Sequence, residues 1–239
     1  MDLYYLLAIG VFVLSLVIQA SLKSTFSKYS KVRSTGRYSA DQAAAVILRE
    51  AEVSGLVIKP ISGSLTDNYN PKEGTINLSQ TVYGQYSIAA IAVAAHECGH
   101  AIQDARNWGL YRVRQFLAPV AGIASQGGVY LAMIGLLIMG SSYYAETAGA
   151  FNLGYNIVTI GIVAYFIAFL FYLVMVPVEY NASNRALKII KEMGLVGEDQ
   201  VGDCKKVLRA AGRTYVIAMA SAGVTLLRLL AMRGNRRRR

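Results

Sequence analysis

Long runs of apolar residues divide this chain and give the first prediction. Four stretches contain one charged residue among them, Arg228, and they lie at residues 3–22, 117–140, 153–178 and 214–232. A helix needs about 20 apolar residues to cross a bilayer, so each stretch is long enough to enter one. A cleaved signal peptide begins with basic residues, whereas only Asp2 precedes the first stretch. We therefore predict an uncleaved N-terminal transmembrane anchor and, later in the chain, a transmembrane helical hairpin.

The distribution of positive charge predicts the orientation of these helices. Eleven Lys and Arg residues lie between the first and second stretches, and seven more lie within residues 179–213. The link at 141–152 has no Lys or Arg and carries only Glu146. Because positive loops stay on the cytoplasmic side, we place the N-terminus outside, 23–116 inside, 141–152 outside and 179–213 inside.

The fourth stretch is predicted to lie along the membrane. If it crossed the bilayer, Arg233 and the four Arg residues at 236–239 would lie outside, against the charge bias. Arg228, near its centre, would cost about 2.5–3.5 kcal/mol on insertion scales. We expect a helix in the inner interface or packed on the other helices, with the Arg tail at anionic headgroups.

The region after the anchor has the local signals of a small α+β domain. Ser39 and Gln42 are spaced as a capping box, which predicts a helix to about residue 54 that ends at Gly55. Ser87 is placed to cap a long helix over 88–107. The remaining elements are two short strands, a turn and a later loop, predicted at 56–61, 75–78, 70–74 and 191–202 respectively.

Composition supports a membrane protein. Of the 239 residues, 54% are apolar and 16% charged, whereas soluble domains have about 25% charged residues. This excludes a disordered chain and disfavours an ordinary soluble domain. We interpret the net charge of +10 as positive flanks of membrane helices and expect no nucleic-acid partner. Two cysteines, Cys98 and Cys204, are too few for a disulfide scaffold and fit a reducing compartment.

The predicted helix at 88–107 carries the motif His96-Glu97-Cys98-Gly99-His100, an H-E-x-x-H pattern. Residues four apart share a helix face, so both imidazoles can reach one Zn²⁺. Glu97 follows the first ligand and is placed to meet the water on the metal. The chain has only these two histidines, so an accidental match is improbable, although two core histidines are the ordinary alternative. Cys98 points away from the metal face and is expected to be a small buried residue.

A third ligand is sought among the acidic residues on the predicted inner side. Glu146 is excluded because its loop is predicted outside. Asp104, one turn after His100, is better suited to orient a metal-bound imidazole than to bind the metal. Glu179 ends the third apolar stretch, where the helical hairpin returns the chain to the side of the His residues, so it is the favoured ligand. A solvated carboxylate at a membrane boundary is the alternative. The other acidic residues lie in a hairpin or a loop-like stretch: Asp67, Glu73, Glu192, Glu198, Asp199 and Asp203.

Several segments resemble the YugP-like membrane zinc metallopeptidases of bacteria, and the resemblance covers most of the chain. They lie at residues 65–71, 76–79, 87–90, 94–103 and 177–183. The chain is more distantly similar to HtpX-type and CAAX-processing membrane peptidases, which carry Glu-x-x-Ala-Asp where this chain has Ser183 in place of Asp. The hydrogen bond that this Asp would make to a zinc-bound His is then expected from Asp104 or Asn184.

The resemblance implies a minimal zincin fold and a gluzincin-type hydrolase with one Zn²⁺ per chain. In this interpretation Glu97 is the general base and His96, His100 and Glu179 are the metal ligands. A substrate is expected to pair with an edge strand formed by Thr75, Ile76, Asn77 and Leu78, with Asn68 and Tyr69 near the cleft. The alternative is that Asn70-Pro71 is only a hairpin turn. The residues nominated to contact the transition state are Tyr69, Tyr180 and Arg185.

These inferences predict a mainly α membrane protein with a small zincin-like α+β domain, three transmembrane helices and a C-terminal membrane-associated helix. The predicted function is endopeptidase action on membrane or membrane-associated proteins at the cytosolic face of the bacterial inner membrane. The alternatives are an inactive zinc-stabilised scaffold or binding protein, and a protein that attaches to a membrane or to nucleic acid through its Arg tail. The predicted domains are an N-terminal anchor (1–22), a zincin-like domain (23–116) and a transmembrane helical hairpin (117–178). They are followed by the Glu179 helix with a further helical segment (179–213) and a membrane-associated helix with a basic tail (214–239).

Overall fold

A computed structural model of the protein describes residues 3–145 and 148–237 and is mostly helical. Glu146 and the last two Arg residues, which two of the predictions involve, lie outside these ranges. The helices are α1 (Leu3–Ser30), α2 (Ala40–Glu50), α3 (Ile88–Ala105), α4 (Gly109–Ala145), α5 (Ala148–Glu192) and α6 (Val201–Arg237), with a short 3-10 helix at Glu198–Gln200. The strands are β1 (Val57–Ile61), β2 (Asn68–Asn70) and β3 (Thr75–Ser79).

The described residues form two compact units. One contains the residues up to Leu16, Val113–Val176 and the residues from Tyr215 onward; the other contains Val17–Arg112 and Pro177–Thr214. The helices α1, α4, α5 and α6 each contribute to both units, since the boundaries fall inside them. We call the second unit the sheet-containing unit.

The first unit has the surface and packing of a membrane-embedded bundle. Large apolar side chains on α4 face outward, with Phe116 80% and Ile123 77% exposed, which is unusual for a protein surface in water. The hairpin helices α4 and α5 approach closely at small residues: a Cβ on Gly135 would lie 2.6 Å from the carbonyl oxygen of Gly154. Such small-residue contacts are typical of helix pairs in membranes.

Four helices within the described ranges are long and apolar enough to cross a membrane: Leu3–Ser30, Gly109–Ser142, Gly149–Glu192 and Glu198–Gly234. The last of these contains the fourth apolar stretch. This match concerns length and composition, so a membrane-surface position for residues 214–232 stays a prediction.

Two predicted helix boundaries differ from the structure because the chain continues through them. The third apolar stretch and the Glu179 segment form one helix, α5, with Pro177 inside it. The segment after the short 3-10 helix and the fourth apolar stretch form α6. By contrast, α2 ends at Glu50, earlier than predicted, since Glu52 adopts a left-handed φ of 57°. Its capping residue is as predicted, with the Ser39 N–H donating to Gln42 Oε1 at 3.1 Å.

The sheet-containing unit is built on a three-stranded sheet in the order β1-β3-β2. β3 is parallel to β1 and antiparallel to β2. On one face of β3, Ile76 and Leu78 are fully buried in a core shared with α2 and α3. The Cys98 thiol of α3 lies 3.7 Å from the Ala44 carbonyl oxygen of α2, so Cys98 is a small buried residue at a helix contact.

The sheet order corrects the predicted edge strand. Thr75, Ile76, Asn77 and Leu78 belong to the central strand, whose Thr75, Ile76 and Asn77 are paired on both sides. The segment at 68–70 folds back on β3 as β2 and occupies that edge. The pattern missed β2 because three residues bounded by Asn and followed by Pro71 show no extended alternation of apolar and polar positions.

Candidate active site

The helix α3 holds the motif rigidly inside the sheet-containing unit. Ser87 caps it as predicted, because its hydroxyl accepts a hydrogen bond from the Ala90 N–H at 3.2 Å. Five alanines in the first two turns are fully buried, so α3 packs closely on all sides. The imidazole rings of His96 and His100 lie on one face with their centroids 4.7 Å apart. A slim, buried helix therefore presents two nitrogen ligands to one point.

Glu179 reaches that point from α5. Its Oε2 atom lies 3.1 Å from His96 Nε2 and 3.4 Å from His100 Nε2. The side chain of Glu179 is buried, so this carboxylate is not a solvated membrane flank. Within the described ranges, these three residues are the group whose ligand atoms lie close enough, within 4.8 Å of one another, to hold a metal ion.

Gly99, between the two histidines, allows α5 to come this close. A Cβ built at Gly99 would lie 2.7 Å from the carbonyl oxygen of Ala182, a contact that real Cβ atoms do not make. Since Ala182 is one turn beyond Glu179, any side chain at position 99 would push the carboxylate away from the imidazoles. The second free position of H-E-x-x-H is thus fixed by helix packing.

Gln103 orients His100, and sequence analysis missed it. Its Oε1 atom lies 2.9 Å from His100 Nδ1, and its Nε2 atom donates to the Val178 carbonyl at 2.9 Å and to Asn181 Oδ1 at 3.0 Å. Asn181 Oδ1 also accepts from the Arg185 Nε–H at 2.7 Å. A carbonyl can only accept and a guanidinium can only donate, so these two end groups fix both amides. His100 Nδ1 therefore carries a proton.

This tautomer explains why a cation is needed at the site. With its proton on Nδ1, neutral His100 presents the Nε2 lone pair to the Glu179 carboxylate. Two acceptors cannot bond to each other, so a proton or a metal ion must lie between them. Four ligands about 2.0–2.1 Å from Zn²⁺ are about 3.3 Å apart in a tetrahedron. The distances of 3.1 and 3.4 Å from Glu179 Oε2 to the two Nε2 atoms agree with that spacing. The donor set fits zinc.

His96 is contacted by Ser183, the position at which this chain departs from the Glu-x-x-Ala-Asp pattern. The Ser183 hydroxyl lies 3.2 Å from His96 Nδ1, on the side of the ring opposite the metal position. The hydrogen bond expected from Asp104 or Asn184 is thus available from Ser183 and Gln103. Asn184 itself is exposed, and Asp104 accepts from the Tyr69 hydroxyl at 2.9 Å. Gln103, three residues after His100, supplies a contact that the sequence did not single out, and the role expected of Asp104 stays a prediction.

Glu97 lies beside the three candidate ligands and is not part of that group. Its Oε2 atom accepts a hydrogen bond from the Tyr69 N–H at 2.9 Å, so an outward-facing N–H of the edge strand β2 holds the carboxylate. Burial raises the pKa of Glu97 above its ordinary value, and electrostatic interaction with the two imidazoles acts in the opposite direction. A buried carboxylate held on one side and close to the imidazoles is suited to accept a proton.

The three residues nominated for the transition state occupy different places. Tyr69 bridges Glu97 and Asp104 through its N–H and hydroxyl, and burial with the Asp104 contact raises the pKa of that hydroxyl. Tyr180 is partly exposed, and its ring lies near Gly212. Arg185 lines a cavity of about 340 Å³ whose other cations are Arg106 and Lys188 and whose lining contains no metal ligand. Only Tyr69 contacts the motif helix beside the ligands.

Comparisons with known proteins agree with this site. A family model described as "putative neutral zinc metallopeptidase" matches residues 4–234. The chain belongs to this zinc metallopeptidase family. A Bacillus subtilis (strain 168) protein described as "putative membrane protease YugP" is 37% identical over 232 residues, which cover 95% of this chain and 94% of the relative. No solved structure matches the chain.

The family assignment confirms the resemblance found in the sequence. It also agrees with the donor set, since a zinc peptidase family is expected to have a zinc site and His96, His100 and Glu179 form one that fits. The family match includes nearly the whole chain. It therefore covers the helices with exposed apolar surfaces as well as the sheet-containing unit.

We expect Gln103→Leu to weaken zinc binding. Leu has nearly the same volume but removes the acceptor of His100 Nδ1–H and the donor to Val178, both buried. Loss of such an outer contact typically lowers metal affinity about 10–100-fold. Zinc affinity measured with a competing chelator checks this, with Gln80→Leu at an exposed position as the control. Equal affinity in both variants would show that Gln103 does not position the ligand.

Proposed function

We propose that the protein is a gluzincin-type zinc endopeptidase in which His96, His100 and Glu179 hold one Zn²⁺ per chain and Glu97 is the general base. The observation that supports it most is the meeting of the Glu179 carboxylate with both Nε2 atoms, with Glu97 beside them outside the ligand set. Three protein ligands leave the fourth position of a tetrahedral zinc open, as in catalytic sites. A structural zinc usually has four protein ligands, so this count disfavours a scaffold role.

Bound Zn²⁺ would polarise the scissile carbonyl and lower the pKa of a water molecule in its open position. The other contributions come from the chain. His96 and His100 present Nε2 atoms whose direction is set by Ser183 and Gln103. Glu179, a buried anion, compensates part of the metal charge, so the site stores less uncompensated charge inside the protein.

Glu97 provides the proton transfer. In the proposed reaction it takes a proton from the attacking water and then gives it to the nitrogen of the departing amine. Burial supports this role, because a carboxylate whose pKa is raised holds the proton more readily than an exposed one. The Tyr69 N–H fixes one oxygen of Glu97, which limits rotation of the carboxylate.

The substrate is proposed to bind along β2. This strand is one edge of the sheet, and its Tyr69 N–H points towards the motif helix. An extended peptide can add to such an edge through main-chain hydrogen bonds, here by donating to carbonyl groups of β2, since the Tyr69 N–H already donates to Glu97. β2 therefore replaces the 75–78 segment as the proposed substrate strand. Among the nominated transition-state contacts, the position of Tyr69 beside Glu97 favours it over Tyr180 and Arg185.

The substrates are proposed to be membrane or membrane-associated proteins cleaved at the cytosolic face. The charge bias places both segments that carry ligands, 23–116 and 179–213, on the inner side of a multi-pass protein in the bacterial inner membrane. The apolar helices and the membrane protease relative support this environment.

Metal removal tests the proposed activity. The full-length protein in detergent should cleave an unfolded protein substrate, lose that cleavage on dialysis against a zinc chelator, and regain it when Zn²⁺ is added in stoichiometric amount. Cleavage that persists at full rate in zinc-free protein would contradict the proposal. Recovery with Mg²⁺ alone would also contradict it, since two imidazoles are poor ligands for Mg²⁺.

A further inference from the structure

A second concave site lies in the sheet-containing unit, between the last turns of α1 and the first part of α6. It has a volume of about 330 Å³, within the range of small-ligand pockets. We call it the basic groove. Four of its lining residues are cations: Lys28, Lys206, Arg209 and Arg213. The others are Ser24, Thr25, Tyr29 and Ala210. None of the proposed metal ligands lines it.

The basic groove concentrates positive charge without enough acid to balance it. No carboxylate belongs to its lining. Among the described residues, Asp203 partly balances this charge: its Oδ1 lies 2.8 Å from Lys206 Nζ, and the charge of Lys28 also acts on it. No carboxylate oxygen in the described ranges lies within 4.0 Å of the charged nitrogens of Arg209 or Arg213. One carboxylate thus faces four cations, so an anion is the ligand that this groove would stabilise.

The two helices turn their cations towards the same groove. Lys206, Arg209 and Arg213 are spaced three and four residues apart, so they share one face of α6. On α1, Lys28 is one turn after Ser24 and lies on the facing side of the groove. The ammonium groups of Lys28 and Lys206 lie 5.3 and 5.9 Å from the centre of the same Tyr29 ring. Cations from two helices therefore converge on one place.

The residue types indicate a phosphate. Arg guanidinium groups bind phosphate oxygens in pairs, and Lys adds a compact positive charge. The hydroxyls of Ser24 and Thr25 can donate to the remaining oxygens. A carboxylate would use fewer of these donors than the tetrahedral oxygens of a phosphate group.

The position along the chain indicates where such a phosphate comes from. Ser24 lies two residues after the end of the apolar stretch at 3–22, and Arg213 directly precedes the stretch at 214–232. Both helices therefore enter the groove where their apolar part ends, which is the depth of lipid headgroups. This holds whether residues 214–232 cross the membrane or lie along it.

We propose that the basic groove binds a phosphate group, supplied by the headgroup of an anionic phospholipid. A bound headgroup would join α1 to α6 within the sheet-containing unit. The proposal does not depend on the peptidase function, since the groove shares no residue with the metal site.

Lipid retention by the full-length protein tests this. Detergent-solubilised protein is titrated with phosphatidylglycerol, with phosphatidylcholine of the same acyl chains, and with inorganic phosphate, and bound lipid is counted by native mass spectrometry. The groove variant is Lys28→Gln/Arg209→Gln/Arg213→Gln. The matched control, Arg49→Gln/Lys72→Gln/Lys191→Gln, makes the same change in net charge at exposed positions outside the groove. Zinc content and thermal unfolding show whether each variant is folded.

We expect phosphatidylglycerol to bind the wild type and the control more tightly than phosphatidylcholine, and the groove variant to bind phosphatidylglycerol about 100-fold more weakly. If the groove variant fails to fold, Arg209→Gln alone should weaken the lipid about fivefold. Inorganic phosphate that displaces the lipid at equal concentration would support the phosphate site but assign it to free phosphate. Equal phosphatidylglycerol affinity in the groove and control variants would overturn the proposal.

Discussion

Glu97→Gln is expected to retain one zinc per chain and to lose proteolysis by about 10³-fold or more. Gln has the shape of Glu, and its amide oxygen can still accept the hydrogen bond that the Tyr69 N–H donates to Glu97 Oε2 at 2.9 Å. It cannot take a proton from water, however, and the step proposed for Glu97 has no other base. Zinc content by elemental analysis and cleavage of a fluorescent protein substrate measure the two effects separately.

Glu73→Gln is the matched control for this prediction. Glu73 is exposed and pairs with Lys59 at 3.0 Å on the surface, a contact that contributes little to stability. We expect its activity within about twofold of the wild type, because surface pairs of this kind contribute little. If Glu97→Gln cleaves as fast as Glu73→Gln, Glu97 is not the general base. If the protein is instead a scaffold that has retained zinc, neither the wild type nor Glu97→Gln will cleave the substrate.

Glu179→Gln and Glu179→Ala are expected to lose both zinc and activity. The wild-type carboxylate is the third ligand in a buried site, and removal of a direct ligand should reduce affinity by more than the about 10–100-fold typical of outer contacts. Gln keeps the volume and tests the charge, whereas Ala removes the ligand atom. Zinc per chain after gel filtration measures the loss, and thermal unfolding separates it from general misfolding.

Glu192→Ala provides the control on the same helix. Glu192 is exposed and forms a long pair with Lys188 at 3.8 Å, so its removal should leave zinc at one per chain. Full zinc occupancy in both Glu179 variants would move the third ligand to another residue and remove the basis for the open tetrahedral site.

The sequence was sufficient to predict that His96, His100 and Glu179 come together, because the histidines have a local motif and Glu179 has a topological signal. His96 and His100 occur in a motif whose spacing has one structural meaning on a helix. Glu179 was found by topology: charge bias and apolar length place the end of the third stretch on the side of the motif. The structure brings these three residues together. The catalytic role of Glu97 remains a prediction that the variants above test.

The residues that orient the ligands could not be predicted in the same way. Gln103 acts through contacts with Val178 and Asn181, which are far away in sequence and become neighbours only when α5 packs on α3. Ser183 is a departure from the Glu-x-x-Ala-Asp pattern that the sequence does show, but its contact with His96 depends on the same packing. Gly99 stood at a variable position of the motif, and only the 2.7 Å approach of Ala182 explains it.

Strand pairing was the least predictable part of the fold. β3 has a strong local pattern and was correctly located, but its neighbours depend on non-local pairing. β2 is three residues long and carries Asn at both ends, which are weak strand signals. The observed sheet order moved the proposed substrate strand from β3 to β2. Whether a strand lies at an edge depends on its neighbours in the sheet, which a local sequence pattern does not determine.

X-ray absorption at the zinc edge of the full-length protein tests the central claim most directly. We predict one zinc per chain with only nitrogen and oxygen neighbours at about 2.0–2.1 Å, and the scattering pattern of two imidazoles. A sulfur neighbour at about 2.3 Å, or an imidazole count that does not fall when His96 or His100 is replaced, would contradict the site built from His96, His100 and Glu179.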